Sequence, residues 1–181
     1  MPMGTHADDH EAWFAEAPER FERPLIRYAR GFTRDLERAR DVVQDTFLKL
    51  LKQDRAALED HLAEWLYTVV RNGSLDVLRK EGRMTTSDES GFATLTSAAP
   101  PPDARLLHEE AHGQVLALIE RLPERQRECI RLKFQSGLSY KEISRITSHS
   151  VSYVGVLIHT GMKTLRQSLG ALTPEAGGTP S

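Results

Sequence analysis

Apolar residues recur at helical spacing along most of the chain. One stripe, at i, i+3, i+4, i+7, i+8, i+11 and i+12, consists of Ala39, Val42, Val43, Thr46, Phe47, Leu50 and Leu51. A second consists of Leu62, Trp65, Leu66, Val69, Val70, Gly73, Ser74, Val77 and Leu78, and a shorter one of Leu25, Ile26, Ala29 and Phe32. Such spacing places apolar residues on one face of an α-helix. Because no segment alternates with the period of a strand, the pattern predicts an all-α protein.

The pattern after residue 137 predicts a helix-turn-helix. Ser139 lies three residues before Glu142, which is the spacing of a capping box. The helix then runs to about Thr147, and its inward residues are Ile143 and Ile146. Ser150 is a suitable N-cap for a second helix, whose inward stripe is Val151, Val154, Ile158, Met162, Leu165 and Leu169. A helix-turn-helix sets its second helix into the DNA major groove, although two helices of an ordinary helical core would give the same pattern.

A segment without periodicity separates the two helical halves. Residues 84–104 are rich in Ser, Thr and Ala and contain three consecutive prolines. This composition predicts a flexible linker. We therefore expect two small helical domains, an N-terminal one at residues 10–83 and a C-terminal one at residues 105–172, followed by a disordered Gly- and Pro-rich tail at 173–181.

Charge is distributed unevenly, although the 181-residue chain has a net charge of only -2. Residues 115–169 contain nine Lys and Arg against four Asp and Glu, whereas residues 1–60 contain ten against thirteen. Because salt screens charges within about 8–10 Å, the local excess governs contact with DNA. No apolar run is long enough to span a membrane and the N-terminus has no signal-peptide pattern, so a cytoplasmic location without membrane insertion is expected. The single cysteine, Cys129, lies in an apolar helical pattern that predicts a buried, inert thiol.

One motif points to different chemistry. His108, Glu109 and His112 match H-E-x-x-H, which on a helix can bind zinc and supply a general base for peptide hydrolysis. The downstream ligands of the extended zinc-protease motif are missing, and no sheet is predicted to hold a substrate strand. A zinc peptidase is therefore kept only as an alternative, and no metal site is predicted.

Three segments, in order, resemble the extracytoplasmic-function group of the sigma-70 family of bacterial RNA polymerase sigma factors. They are residues 39–51, residues 64–83, and residues 122–128 followed by residues 137–143. The resemblance covers about residues 12–170. It implies a non-enzymatic transcription initiation factor that needs no cofactor, binds core RNA polymerase and directs it to promoter DNA. It leaves open whether an anti-sigma factor inhibits the chain. A stand-alone helix-turn-helix regulator is the other alternative, but it would leave residues 39–83 unexplained.

The resemblance assigns a binding surface to each segment. Contact with core polymerase falls on the polar side of the first, at Asp41, Gln44, Asp45 and Lys49. Reading and melting of the -10 element fall on the second, at Arg71, Asn72, Asp76, Arg79, Lys80 and Arg83. Recognition of the -35 element falls on the third and the helix after it, at Arg127, Lys141, Ser152, Tyr153, Val156, His159, Thr160 and Lys163.

The residue types suit these roles. An Asn amide can pair with the edge of an extruded base, and the basic residues after Asn72 can neutralise phosphates as the strands separate. Trp65 is expected in the core, whereas Tyr67 is left open between core packing and base stacking. The second helix of the helix-turn-helix departs from the family, because Gly155, Leu157, Thr160 and Met162 occupy positions that are often basic. Only Lys163 and Arg166 are basic on that helix, while Tyr153 and Thr160 could contact thymine methyls or phosphates.

Overall fold

The computed structural model describes residues 5–84 and 113–172, with side chains for residues 13–82 and 113–171, and all regular elements in these ranges are helical. The first range contains α1 (Thr5–Thr33), α2 (Leu36–Leu50), α3 (Arg55–Leu58) and α4 (Leu62–Met84). The second contains α5 (residues 113–120), α6 (Glu124–Ile130), a π-helical turn (Arg131–Gln135), α7 (Tyr140–Thr147) and α8 (Val151–Leu172). The predicted all-α class is confirmed. Most of the predicted linker, the His108–His112 motif and the tail lie outside the described residues, so the domain boundaries stay predictions.

The chain divides into two compact units. Helices α1–α4 belong to the first, together with residues 141–149, and the other described residues from 113 onward belong to the second. In the first unit, α1, α2 and α4 pack against one another. Tyr67 of α4 is 2% exposed, and its ring meets that of Tyr28 edge to face at 5.2 Å. Tyr67 is therefore a core residue rather than a base-stacking one.

The two predicted stripes lie on the inner faces of α2 and α4. Their buried members are Ala39, Val42, Val43, Thr46, Leu50, Leu66, Val70 and Ser74, and the others, including Trp65, are half-buried except for Leu51. Leu51 was predicted to face inward, but it is 57% exposed. That prediction is wrong because α2 ends at Leu50 and Leu51 is its C-cap. Gly73 on α4 brings this helix close to α2, since a Cβ at this position would lie 3.1 Å from Cγ1 of Val42.

Helix α1 is much longer than the Leu25–Phe32 pattern predicts. It contains two prolines, Pro18 and Pro24, and neither ends it. A proline inside a helix removes one backbone hydrogen bond and costs about 3 kcal/mol. Leu25 and Ala29 are fully buried just after the second proline, so packing of this face against α2 and α4 offsets that cost.

The second unit has a core built by α5, α6 and α8. Its buried residues are Leu118, Ile119, Leu122, Ile130 and Leu165, with Val115, Met162 and Leu169 packed against them. Gly161 of α8 lies so close to α6 that a Cβ there would be 2.5 Å from Cδ1 of Ile130. Cys129 is fully buried, as the sequence predicts.

The helix-turn-helix is present where the sequence predicts it. Helix α7 begins directly after Ser139, and its inward residues Ile143 and Ile146 are buried. Ser148 has a left-handed backbone with φ of 57° and starts the turn. Ser150 then caps α8, because its Oγ accepts a hydrogen bond from the Tyr153 N–H at 3.2 Å.

Two apolar positions of α8 differ from the predicted pattern. Val151 was predicted to face inward but is 47% exposed, because it is the first residue of the helix and the buried side begins at Val154. Leu157 is 7% exposed and belongs to the buried side. A basic residue at position 157 would therefore not lie on the exposed face of this helix.

Candidate nucleic-acid and protein interfaces

The outer face of α2 presents all four residues predicted to bind a protein. Asp41, Gln44, Asp45 and Lys49 are exposed, while Ala39, Val42, Val43, Thr46 and Leu50 on the opposite side are buried. Leu48 was not among the predicted residues, although it lies one helical turn after Gln44 and Asp45 and is 58% exposed. Leu48 is an apolar residue outside the inward stripe, and this position in the sequence already indicates an exposed leucine. Together with the exposed Leu51, it gives the polar face an apolar centre typical of a protein contact surface.

The outer face of α4 collects four of the six residues predicted to bind the -10 element. Asn72, Asp76, Arg79 and Lys80 are exposed on the side opposite the core. Asp76 Oδ1 accepts a hydrogen bond from Arg79 Nη1 at 3.0 Å, which holds the guanidinium beside the helix one turn beyond Asn72. Arg71 is half-buried at the edge of this face, and the side chain of Arg83 lies outside the described residues.

The outer face of α8 presents every residue that was predicted on this helix. Ser152, Tyr153, Val156, His159, Thr160 and Lys163 are all exposed, and their spacing places them along one side of the helix. The opposite side is closed by Val154, Leu157, Ile158 and Leu165, all of which are buried. The orientation of α8 is thus fixed by its buried side, and its N-terminal turns are left available to a ligand.

Tyr140, which was not among the predicted residues, extends this surface. It is 39% exposed, and a Cβ on Gly155 would lie 3.7 Å from Cε2 of its ring. The ring therefore lies against the backbone of α8 at a position without a side chain. Lys133 Nζ lies 5.4 Å from the centroid of the same ring, within the range of a cation–π contact.

The two remaining predicted residues differ in their surroundings. Lys141 is exposed on α7. The side chain of Arg127 is only 18% exposed, and its Nη1 donates a hydrogen bond to the Glu120 carbonyl oxygen at 2.9 Å. Arg127 thus links α6 to the end of α5, and contact with DNA stays a prediction for both residues.

Residues 5–84 and 113–172 contain no group of three His, Cys, Asp or Glu side chains placed to hold a metal ion. None of the helices in those ranges is long and apolar enough to cross a membrane.

Two family models match the chain, one on each helical part. Sigma-70 region 2 matches residues 19–84, which contain α2 and α4. Sigma-70 region 4 matches residues 112–165, which contain the helix-turn-helix. A stand-alone helix-turn-helix regulator would not account for the first match, so this alternative is set aside.

Characterised relatives agree with both models. The ECF RNA polymerase sigma factor EcfG of Rhodopseudomonas palustris is 30% identical over 151 residues, covering 82% of this chain and 79% of the relative. The ECF RNA polymerase sigma factor SigM of Bacillus subtilis is 28% identical over 150 residues, covering 82% and 87%.

Solved structures support the fold. The sigma factor RpoE from Bartonella quintana, crystallised with the anti-sigma factor NepR, has a TM-score of 0.63 and 23% identity, covering 87% of this chain and 96% of that one. CnrH, solved with the cytosolic domain of CnrY, has a TM-score of 0.59 and 23% identity, covering 90% and 91%. The predicted family is confirmed: the chain belongs to the extracytoplasmic-function group of the sigma-70 family, transcription initiation factors that bind core RNA polymerase and direct it to promoter DNA.

Proposed function

We propose that the three outer faces divide the work of promoter recognition. The face of α2 around Leu48 binds core polymerase, the face of α4 around Asn72 binds the -10 element, and the exposed side of α8 binds the -35 element. The chain performs no catalysis in this scheme, and the polymerase supplies the chemistry. The H-E-x-x-H motif has no role in it.

The observation that carries the proposal is the exposed apolar centre on α2. Leu48 and Leu51 are more than half exposed, although α2 already buries a full apolar stripe on its other side. Exposed leucines flanked by Asp41 and Asp45 favour a protein partner, because burial of one leucine contributes about 1.5–3 kcal/mol. The exposed carboxylates favour a partner with basic side chains at the matching positions. Such charge pairs fix how the two surfaces align.

The -10 and -35 assignments rest on side-chain chemistry. Asn72 offers an amide that can pair with a base edge, and the neighbouring Arg79 and Lys80 can neutralise phosphates. The N-terminal turns of α8 follow the turn at Ser148–Ser150, as expected for a recognition helix entering the major groove.

An anti-sigma factor is the proposed regulator. Support comes from the two solved neighbours, each of which was crystallised or solved with a partner, NepR in one and the cytosolic domain of CnrY in the other. These partners belong to those proteins, and the one that fits this chain would be found by affinity capture followed by a transcription inhibition assay.

Charge reversal on α2 tests the central assignment. We expect Asp45→Arg to abolish capture of purified core polymerase by the tagged chain, because it places a cation where the partner's basic group would lie. Glu22→Arg is the matched control, since Glu22 is also exposed but lies on α1. Both variants should keep a native circular dichroism spectrum. Undiminished capture by folded Asp45→Arg would refute the α2 assignment.

A further inference from the structure

The exposed surface at the N-terminal end of α8 is largely apolar, which is unusual for a surface that meets DNA. Its side chains are Tyr140, Val151, Tyr153 and Val156, with exposed fractions of 39%, 47%, 38% and 57%. We call these four residues the apolar reading surface. The core does not require these four side chains, because α8 already buries Val154, Leu157 and Ile158 on its other side.

We propose that the apolar reading surface recognises the -35 element through the 5-methyl groups of thymine, rather than through guanine or adenine edges. This inference rests on the proposed function of α8 and specifies its ligand. It makes Val151 and Val156 specificity-determining residues, and it predicts a -35 element that is rich in A·T pairs.

The first two turns of α8 lack the side chains that serve the other common modes of base recognition. Guanine is read mainly by Arg or Lys, adenine by Asn or Gln, and cytosine by Asp or Glu. Residues 151–158, which form the first two turns of α8, contain none of these six types. These residues offer apolar side chains, which match the thymine methyl, and the hydroxyls of Ser152 and Tyr153.

Distance keeps the first basic residue of α8 away from these turns. Lys163 follows Val151 by twelve residues, which corresponds to about 18 Å along a helix axis. The N-terminal residues of a recognition helix are the ones that contact base edges. Lys163 is therefore placed to reach a phosphate, while the base edges meet the apolar reading surface.

The shape of the surface, which lies at the exposed start of one helix, favours DNA over a protein partner. A major groove about 12 Å wide admits one helix, and Val151 and Val156, five residues apart at the start of α8, can contact methyl groups of different base pairs. An apolar protein partner is the competing occupant that the experiment must distinguish.

The first step of the test finds the sequence. Holoenzyme reconstituted from the full-length chain and core polymerase would be used to select duplexes with a randomised upstream element and a fixed -10 element. We expect thymine to be enriched on either strand at positions facing α8. Enrichment of guanine at those positions would overturn the methyl proposal. No enrichment at all would instead mean that α8 does not read DNA, and the proposed function of this helix would fail with it.

The second step removes only the methyl groups. In the selected duplex, each enriched thymine is replaced by deoxyuridine, which keeps base pairing and lacks the 5-methyl. We expect holoenzyme affinity to fall about fourfold for each contacted methyl, the equivalent of about 0.8 kcal/mol for one buried methylene. Equal affinity for the thymine and deoxyuridine duplexes would overturn the proposal.

A double-mutant cycle assigns the effect to a residue. Val156→Ser should lower affinity for the thymine duplex by a similar factor and show no further loss on the deoxyuridine duplex. Leu116→Ser is the matched control, because Leu116 is an exposed apolar residue on α5. If Val156→Ser leaves DNA affinity unchanged but reduces capture of core polymerase, the surface is a protein interface and the proposal is wrong.

Discussion

Helices α4 and α8 carry the two surfaces proposed to contact promoter DNA, and they present opposite chemistry. The outer face of α4 consists of an amide, a carboxylate and two cations, from Asn72 to Lys80. The outer face of α8 begins with two valines and a tyrosine and has its first cation at Lys163. A separated strand exposes bases and phosphates that need hydrogen bonds and charge, while an intact duplex displays methyl groups that need only shape. The difference suggests that hydrogen bonds and charge dominate the DNA contacts of α4, whereas apolar contact dominates the base contacts of α8.

The largest effect should come from breaking the α4 side of this comparison. Asn72→Ala is expected to weaken open-complex formation about 5- to 150-fold, which corresponds to the 1–3 kcal/mol of a good base-edge contact. Core binding should be unchanged, because Asn72 is an exposed residue of α4 and is not part of the proposed α2 surface. Permanganate reactivity of thymines in the -10 region measures the opening.

Gln167→Ala provides the control for that measurement. Gln167 is an exposed amide on α8, so its removal matches the chemistry of the α4 variant without touching α4. Equal opening by Asn72→Ala and the parent would show that Asn72 only faces solvent.

A smaller effect, on the stability of the fold, is expected on the buried sides of α4 and α8. The two helices are alike there because each has a glycine in close contact with a neighbouring helix. Gly73 of α4 and Gly161 of α8 both lie within 3.1 Å of a neighbouring side chain once a Cβ is added. Gly161→Ala should destabilise the fold by up to about 2 kcal/mol, because overpacking of 1–3 kcal/mol exceeds the roughly 1 kcal/mol gained in helix propensity. Ile130 cannot move aside easily, since it is only 2% exposed.

Gly155→Ala is the matched variant on the same helix. Its Cβ would lie at ordinary contact distance from Tyr140, 3.7 Å, so the helix gains up to about 1 kcal/mol. Urea unfolding followed by circular dichroism would show that Gly161→Ala lowers the free energy of unfolding and that Gly155→Ala raises it. A stabilised Gly161→Ala would mean that α6 and α8 can separate at no cost.

The smallest expected effect is on the salt dependence of promoter binding, which differs between α4 and α8. Lys80→Gln should reduce the slope of log affinity against log salt by about 0.7, the value for a contact with a single strand. Lys163→Gln should reduce it by about 0.9, the value for a duplex. Val156→Ser should lower affinity without changing the slope. Holoenzyme binding to a promoter at four salt concentrations measures all three, and a slope altered by Val156→Ser would contradict the division of roles.

Sequence periodicity was sufficient for the helices and their buried sides, because a 3.6-residue repeat is a local property of the chain. It failed at helix ends, where a residue at the boundary no longer follows the stripe. Leu51 and Val151 were predicted to face inward and are exposed. It also underestimated α1, because Pro18 and Pro24 are local signals to stop and only tertiary packing overrides them. The bond between Arg127 and the Glu120 carbonyl depends on two helices meeting, which no spacing along the chain reveals.

The four tyrosines of the chain divide evenly between interior and surface. Tyr28 and Tyr67 are buried against each other in the first unit, whereas Tyr140 and Tyr153 are exposed in the second. A tyrosine-selective reagent such as a nitrating agent would therefore label the apolar reading surface first and leave the α1–α4 core untouched. Tyr140 and Tyr153 therefore serve as built-in probes of that surface. Protection of the two rings from the reagent would show when a ligand covers it.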